Sequence, residues 1–300
     1  MKLKMKKKYF NSFALIGLFI GLTSFLYKTT DKEPVQSSLL WKIEGNGIKN
    51  PSYLFGTMHM IEKEYFYFPA ELEKIVKKSS VLVMEIAGIP DQMEVMQYVL
   101  LKDETFFDYF TPAQKDTILA WAQEKMKLDE KAFNATFSRL KPFVVVQTAS
   151  QMQFMGKIES YERTLEKIAT EKKIKIEGLE TVADQMKIFD DLSRQKQAEM
   201  VMEGIRDGDK AADQIKLLQQ MYARQNVDSM YQYIHQEGGV IATEQNVFLD
   251  QRNINWIPKI KNYTSKGKAF IAVGAGHLGG ENGVIRLLEK EGYKLTPVKI

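Results

Sequence analysis

No cysteine occurs among the 300 residues. The chain therefore has no disulfide framework, and every thiolate chemistry goes with it: no cysteine nucleophile, no soft-ligand zinc site, no iron–sulfur cluster and no lipid-modified cysteine. Histidine is nearly as scarce, with three in the whole chain. A basic surface is also missing, although the formal net charge is +4 and the pI about 8.8. Six lysines and no acid lie in residues 1–30, which leaves 36 basic against 38 acidic residues in the remainder, a net of −2. A nucleic-acid-binding face needs a clustered positive patch, so no nucleic-acid partner is expected.

What is present begins with that lysine-rich leader. Lys2, Lys4, Lys6, Lys7 and Lys8 precede a charge-free, mostly apolar run at residues 13–26. Positive charge followed by such a run reads as a secretory signal or an N-terminal membrane anchor over residues 1–30. The run is shorter than the roughly 20 residues of a comfortable spanning helix, and flanking residues would have to extend it. The charge order would keep the N-terminus in the cytoplasm and send the body outward, so an exported location is expected: periplasmic, cell-envelope or extracellular. Residues 31–38 then read as a polar linker, and residues 39–300 are long enough to build their own core.

Within the body, "LLWKIEG" and "SYLFGT" are apolar, aromatic-rich runs split by Asn46-Gly47, Asn50 and Pro51, which predicts a β-hairpin with a longer loop. A helix is expected over residues 69–78, then a strand "VLVMEIAG" that ends in a carboxylate. Residues 91–260 read as mostly helical. "TPAQ" at 111–114 combines an N-cap threonine, a first-turn proline and a capping-box glutamine. "LKPFVVV" is left open between helix and strand, because a short apolar run has no decisive period. "KIKIEGLET" predicts a short strand with Glu180 at its end and Thr181 as the next N-cap. Two long amphipathic helices are expected over 183–206 and 211–236, their methionines serving as core filler. The chain closes on strand, glycine-rich turn, helix and strand. The expected fold class is α/β (α+β): a central mixed sheet with flanking helices and a largely helical middle insertion.

Two segments repeat one device. "YLFGTMH" and "FIAVGAGH" are both apolar strands followed by Gly-x-x-His, at Gly56–His59 and Gly274–His277. Glycine permits positive φ and close backbone approach, so each histidine is expected above a strand end, where open α/β sheets place their ligands. His235, in "YIHQEGG", lacks that context and reads as structural. Glu85 ends an apolar run without a charged partner at i+4, and its spacing from His59 suits an adjacent strand. Two histidines and a carboxylate are a catalytic ligand set for zinc, manganese, cobalt or iron. Arg252 and Asn253 lie on a helix whose apolar side carries Val247, Phe248, Ile254 and Ile257; the arginine suits a buried ion pair or an oxyanion stabiliser. Tyr65, Phe66, Tyr67 and Phe68 could line an apolar ligand pocket, with core or lid packing the more frequent use of such residues.

These residues carry a resemblance. With "PSYLFGTMH", "VLVMEIA", "GKIESYERTLEKIATEKKIKIEGLET", Gln185, "QRN" and "AFIAVGAGHLGGENGVIRLLEKEGYKLTPV", the chain resembles the TraB/GumN family. That family includes the Tiki metalloproteases and is related to the erythromycin-esterase-like and ChaN-like proteins. The resemblance implies that His59, Glu85 and His277 bind a divalent metal, manganese or cobalt first and zinc or iron next. It implies Glu85 as general base on metal-activated water and Arg252 as the catalytic stabiliser of negative charge. Glu180 and Asn253 are the expected substrate-binding residues. The expected activity is an exported metal-dependent hydrolase acting on a peptide or protein, with membrane attachment through the N-terminal segment where it is retained. The competing expectations are a binding protein for a peptide or haem-like ligand and an esterase-like hydrolase that needs no metal.

Overall fold

The computed structural model describes residues 37–153 and 158–300, the side chains at 92, 149, 150, 152, 153, 209 and 211 excepted. The predicted signal or anchor, and nearly all of the linker, lie outside the described residues. In chain order the strands are β1 (Leu40–Gly45), β2 (Ser52–Thr57), β3 (Ile61–Glu62), β4 (Val81–Met84), β5 (Ile158–Glu159), β6 (Lys175–Gly178), β7 (Ala269–Gly274) and β8 (Tyr293–Val298). The helices are α1 (Ala70–Lys77), α2 (Gln92–Val99), α3 (Pro112–Trp121), α4 (Glu130–Phe137), α5 (Pro142–Gln153), α6 (Tyr161–Lys172), α7 (Val182–Asp191), α8 (Arg194–Arg206), α9 (Gly208–Ala223), α10 (Val227–Glu237), α11 (Val240–Thr243), α12 (Gln251–Ser265) and α13 (Val284–Lys290). Among the described residues no helix is long and apolar enough to cross a membrane.

Six strands form one mixed sheet in the order β6-β4-β7-β2-β1-β8, with β1 antiparallel to both neighbours and the other pairs parallel. The hairpin, the mixed sheet and the helical middle agree with the expected α/β class. One cross-strand row, Val298–Leu40–Phe55–Ala272–Met84–Gly178, runs along the sheet just before one edge. Past that row, at a single edge, come Thr57 to His59, Glu85, Glu180 and Gly274 to His277. Leu40, Ile43, Leu54, Phe55, Leu82, Val83, Phe270, Ile271 and Val273 are all fully buried, so the central strands are covered on both faces. A second apolar cluster, built on Phe106, Ile118, Phe133, Phe137, Val145 and Val201, holds the helical middle together.

Several local expectations need correction. Glu85 does not sit on a strand next to that of His59: β7 lies between β2 and β4. The two long amphipathic helices are each broken. Ser193 accepts from Lys196 N and starts α8, while Gln225 at φ +56° and Asn226, which accepts from Ser229 N, end α9 and start α10. N-cap side chains inside a continuous apolar period are therefore stop signals that periodicity alone overrides. "PFVVV" is helical, with Pro142 in the first turn. On α12, Ile254 is exposed, and Trp256, Ile257 and Ile260 form the buried stripe instead.

Candidate functional site

The glycines of the two Gly-x-x-His segments serve closeness rather than unusual dihedral angles. Neither has positive φ; Gly274 sits at φ −52°, ψ 136°. A Cβ on Gly56 would stand 2.7 Å from Leu278 Cδ1 and 3.1 Å from Ala275, so β2 packs against the turn after β7 only because nothing is there. A Cβ on Gly274 would stand 3.3 Å from Glu85 Oε1, 3.6 Å from His277 Cδ2 and 3.8 Å from His59 Nε2. That space is the meeting point of the three residues singled out in the sequence. Gly274→Ala is accordingly expected to fold, since its backbone angles suit alanine, and to push the three side chains apart. A near-native melting temperature combined with a tenfold or greater loss of site function is the expected result; unchanged function would mean that the space is not used.

His59 is reached by a small local device. Just after it, β3 pairs antiparallel with β5, Ile61 opposite Glu159, and β5 leads into α6, whose N-cap is Ser160. Glu162, in the first turn of α6, thereby meets His59: Nδ1 lies 2.9 Å from Oε1, while Ser160 Oγ donates to Oε2. The hydrogen bond that His59 donates to the Glu162 carboxylate pulls the His59 pKa up to about 9. The imidazole remains accessible, with 64% of its side-chain surface exposed. Of the aromatic run after it, Phe66 and Phe68 are packing, while Tyr67 is exposed. Phe66 and Phe68 lie against Tyr161, whose hydroxyl donates to Tyr67 O and accepts from Tyr67 N.

Glu85 and His277 are buried beneath this rim. Glu85 Oε1 accepts from Gly274 N at 2.7 Å, and Oε2 accepts from Arg252 Nη2 at 2.6 Å and Gln185 Nε2 at 3.2 Å. Burial opposes the charge on Glu85, but in the acid range where it titrates a protonated His277, with Arg252, His59 and the Gly274 N–H, overcomes it and holds the carboxyl at about 2. His277 Nδ1 donates to Asn253 Oδ1 at 2.7 Å, because the Asn253 amide nitrogen is spent on the carbonyls of Asn282 and His277. Its Nε2 is then the acceptor for Arg252 Nη1 at 3.1 Å. Burial, aided by the charges of Arg252 and His59, keeps His277 neutral at pH 7.

Arg252 is the hub of the buried layer. Nε and Nη2 donate to Glu180, Nη2 also to Glu85, and Nη1 to Phe248 O and to His277. A guanidinium has five N–H groups, and all five are donated here. A substrate oxyanion would have to displace one of these acceptors. Glu180 also accepts from Gln185 and Trp256, so its oxygens face Arg252 rather than solvent. Asn253 is 1% exposed and acts through His277, whose tautomer it sets. A cavity of about 450 Å³ runs between α7 and α12 and reaches Glu180, Arg252 and Trp256; neither His59 nor His277 lines it. His235 stands apart, stacked on Tyr231 with Nδ1 on Gln245.

Sequence reasoning placed His59, Glu85, Glu180, Arg252, Asn253 and His277 as candidates; the fold joins five of them in one hydrogen-bonded network around Arg252 and sets His59 across Gly274 from it. Missing from that list were Glu162, Gln185 and Trp256 as members of the site. Glu162 looks like an ordinary first-turn acid, favourable to the helix dipole anywhere, and only the β3–β5 pairing gives it a histidine.

Donor chemistry at the edge suits a divalent cation. Each motif imidazole has Nδ1 held by an oxygen and Nε2 turned inward, the arrangement that orients metal-binding histidines. Three carboxylates face one guanidinium and one imidazole. Spacing is another matter: among the described residues no three ligand-type side chains are gathered closely enough to hold an ion as they stand. The cation against Glu85 and His277 is Arg252 itself.

Residues 39–297 match the model of the TraB/PrgY/gumN family. The chain belongs to the TraB/PrgY/gumN family. No curated protein and no solved structure matches it. Membership covers nearly the whole body, so both Gly-x-x-His segments, Glu85 and Arg252 fall within the family's span.

Proposed function

We propose that this TraB/PrgY/gumN member is a metal-dependent hydrolase, a peptidase first, exported by its lysine-rich leader and acting outside the membrane. The observation that carries the reading is the convergence of His59, Glu85 and His277 about Gly274, whose missing Cβ lets the three approach. His59 Nε2, Glu85 and His277 Nε2 would hold the ion, manganese or cobalt before zinc or iron. When bound, a divalent ion lowers the pKa of a coordinated water toward neutrality and polarises a scissile carbonyl. Glu85 is anionic at neutral pH and turns Oε1 to the same glycine, which makes it the nearest proton acceptor there. Glu162 fixes the orientation of His59. Arg252 bridges the Glu85 and Glu180 carboxylates and keeps the His277 lone pair directed, and it must release His277 Nε2 for that atom to bind anything else.

A specific observation favours a second reading. The exposed His59, oriented by a carboxylate, is by itself an acid–base pair, and a hydrolase could run on it without metal. The full chain is to be freed of metal, reloaded with manganese, cobalt, zinc or iron, and assayed on a mixed peptide pool with mass-spectrometric readout. About one ion per chain and cleavage that chelation abolishes are expected. His59→Ala and His277→Ala should each lose the ion while keeping the native far-UV circular dichroism. Cleavage indifferent to chelators would replace the metal reading with the His59–Glu162 one. No ion and no cleavage would refute both.

A further inference from the structure

Helix α9 turns polar-tipped side chains into the protein. A surface helix ordinarily buries an apolar stripe. Among the described side chains of α9, the two that are buried are Gln219, at 0% exposure, and Tyr222, at 1%. They stand three residues apart and so share one face of the helix. Each spends its oxygen on the backbone of the segment that carries His59. The Tyr222 hydroxyl donates to Gly56 O at 2.8 Å, and Gln219 Oε1 accepts from Glu62 N. Those two backbone groups lie three residues before and three residues after His59.

The segment between them is an arch. Gly56, Thr57 and Ile61 are buried, Met58 and Met60 are half-buried, and His59 at the crown is exposed. An imidazole placed there is only as steady as the feet of the arch. Tyr222 also reaches the other partner of His59: its ring centroid lies 5.4 Å from that of Tyr161, the residue beside Glu162. Burial holds the Tyr222 pKa well above 10, so its hydroxyl stays a donor. Packing does not account for Gln219. Its buried Nε2 has no partner among the described residues, a cost that an apolar side chain of like size avoids, whereas its Oε1 serves Glu62 N. The helix is itself anchored just past its C-terminal end, where Gln225 O accepts from Ser37 Oγ and Gln225 Nε2 donates to Ile300 O.

We propose that Gln219 and Tyr222 are positioning residues: by gripping the backbone on both sides of His59, they fix its imidazole against Glu162 and beside Gly274. Both act through the backbone of the arch. A site of either proposed kind has to be held to within about 0.5 Å, and a displacement of ~1 Å costs about 100-fold in rate. The consequence for hydrolysis rests on the hydrolase reading; the clamp itself does not.

The scarcity of histidine makes the test direct. The full-length protein is labelled with carbon-13 in its three histidine rings and freed of metal, and the order parameter of each ring is read by NMR relaxation. Tyr222→Phe removes one hydroxyl, Gln219→Met removes the amide together with its unpartnered Nε2, and the double variant removes both contacts. His277, held in the buried layer by Asn253, is the internal reference. The order of the His59 ring should fall in each single variant and drop below about 0.6, the flexible range, in the double one. His277 and the far-UV circular dichroism should stay native. Hydrolysis should fall about 100-fold in the double variant. Unchanged order at His59 in the folded double variant overturns the proposal. So does an equal loss at His59 and His277, which would make α9 a general packing element. Should the double variant not fold, Tyr222→Phe decides by the same two rings. A loosened His59 in a protein whose wild type hydrolyses nothing would support the clamp and refute the hydrolase reading, so the two fail separately.

Discussion

Arg252→Met is expected to destabilise the domain by about 3–5 kcal/mol, the usual consequence of removing one partner from a buried ion network. The Glu85 and Glu180 side chains are each 8% exposed and share this one guanidinium, while the methionine leaves both carboxylates uncompensated. Chemical denaturation in urea at pH 7 reads the loss as a lower midpoint. The pH dependence has a defined sign. Glu85 has a folded-state pKa of about 2, below its ordinary 4.5, so its charged interactions stabilise the fold above pH 4.5 and fade as the pH falls toward 2. The gap between wild type and Arg252→Met should therefore be largest at neutral pH and should narrow in acid, where the Glu85 carboxyl can protonate. Adding Glu85→Gln and Glu180→Gln should restore most of the stability, since the charges left stranded are gone. A single variant as stable as wild type would mean that the network is not the buried hub its contacts describe.

His59→Ala is expected to lower hydrolysis by roughly 100- to 10,000-fold, the span of a lost acid–base or ligand group, with little change in stability because the ring is largely exposed. Glu162→Gln separates ligand from support. With Glu162 present, the His59 pKa of about 9 means that an ion must displace a proton at neutral pH, so apparent metal affinity should climb about tenfold per pH unit and level off near pH 9. Without the carboxylate, the plateau should begin near the ordinary histidine value of about 6.5. The pair's own contribution to stability runs the other way: it is complete below pH 6.5 and disappears as pH rises through about 9. Calorimetric titration with manganese at several pH values reads the profile directly. Identical profiles for wild type and Glu162→Gln would remove His59 from the ligand set, and His235→Ala serves as the neutral control.

Elements at the two ends of the body were legible without coordinates. The hairpin Leu40–Thr57 announces itself by turn residues between apolar runs, and the last strand, turn, helix and strand by the switch from period 2 to period 3.6. The helical middle was legible as helix but not as separate helices, because Ser193 and Asn226 interrupt the backbone without interrupting the apolar period. Of the two reasons that single out the glycines at 56 and 274, close approach holds and positive φ does not: what matters is a missing Cβ at a close contact, and the sequence alone does not say which atom will be nearby.

By itself the sequence determined the family, the mixed α/β class, the pairing of two strand-end histidines with one strand-end glutamate, and the exclusion of all cysteine chemistry. Those properties are local in the chain or carried by residue type. Only the tertiary structure decided that β7 separates β2 from β4, that Glu162 among many acids orients His59, and that Arg252 spends four of its five donors holding Glu85, Glu180 and His277 together and the fifth on Phe248 O. Each of these joins residues well separated in the chain, from 25 positions for Arg252 and His277 to 167 for Arg252 and Glu85, or selects among many equivalent surface acids. Strand order and cross-chain burial settle such choices, and no short-range pattern records them.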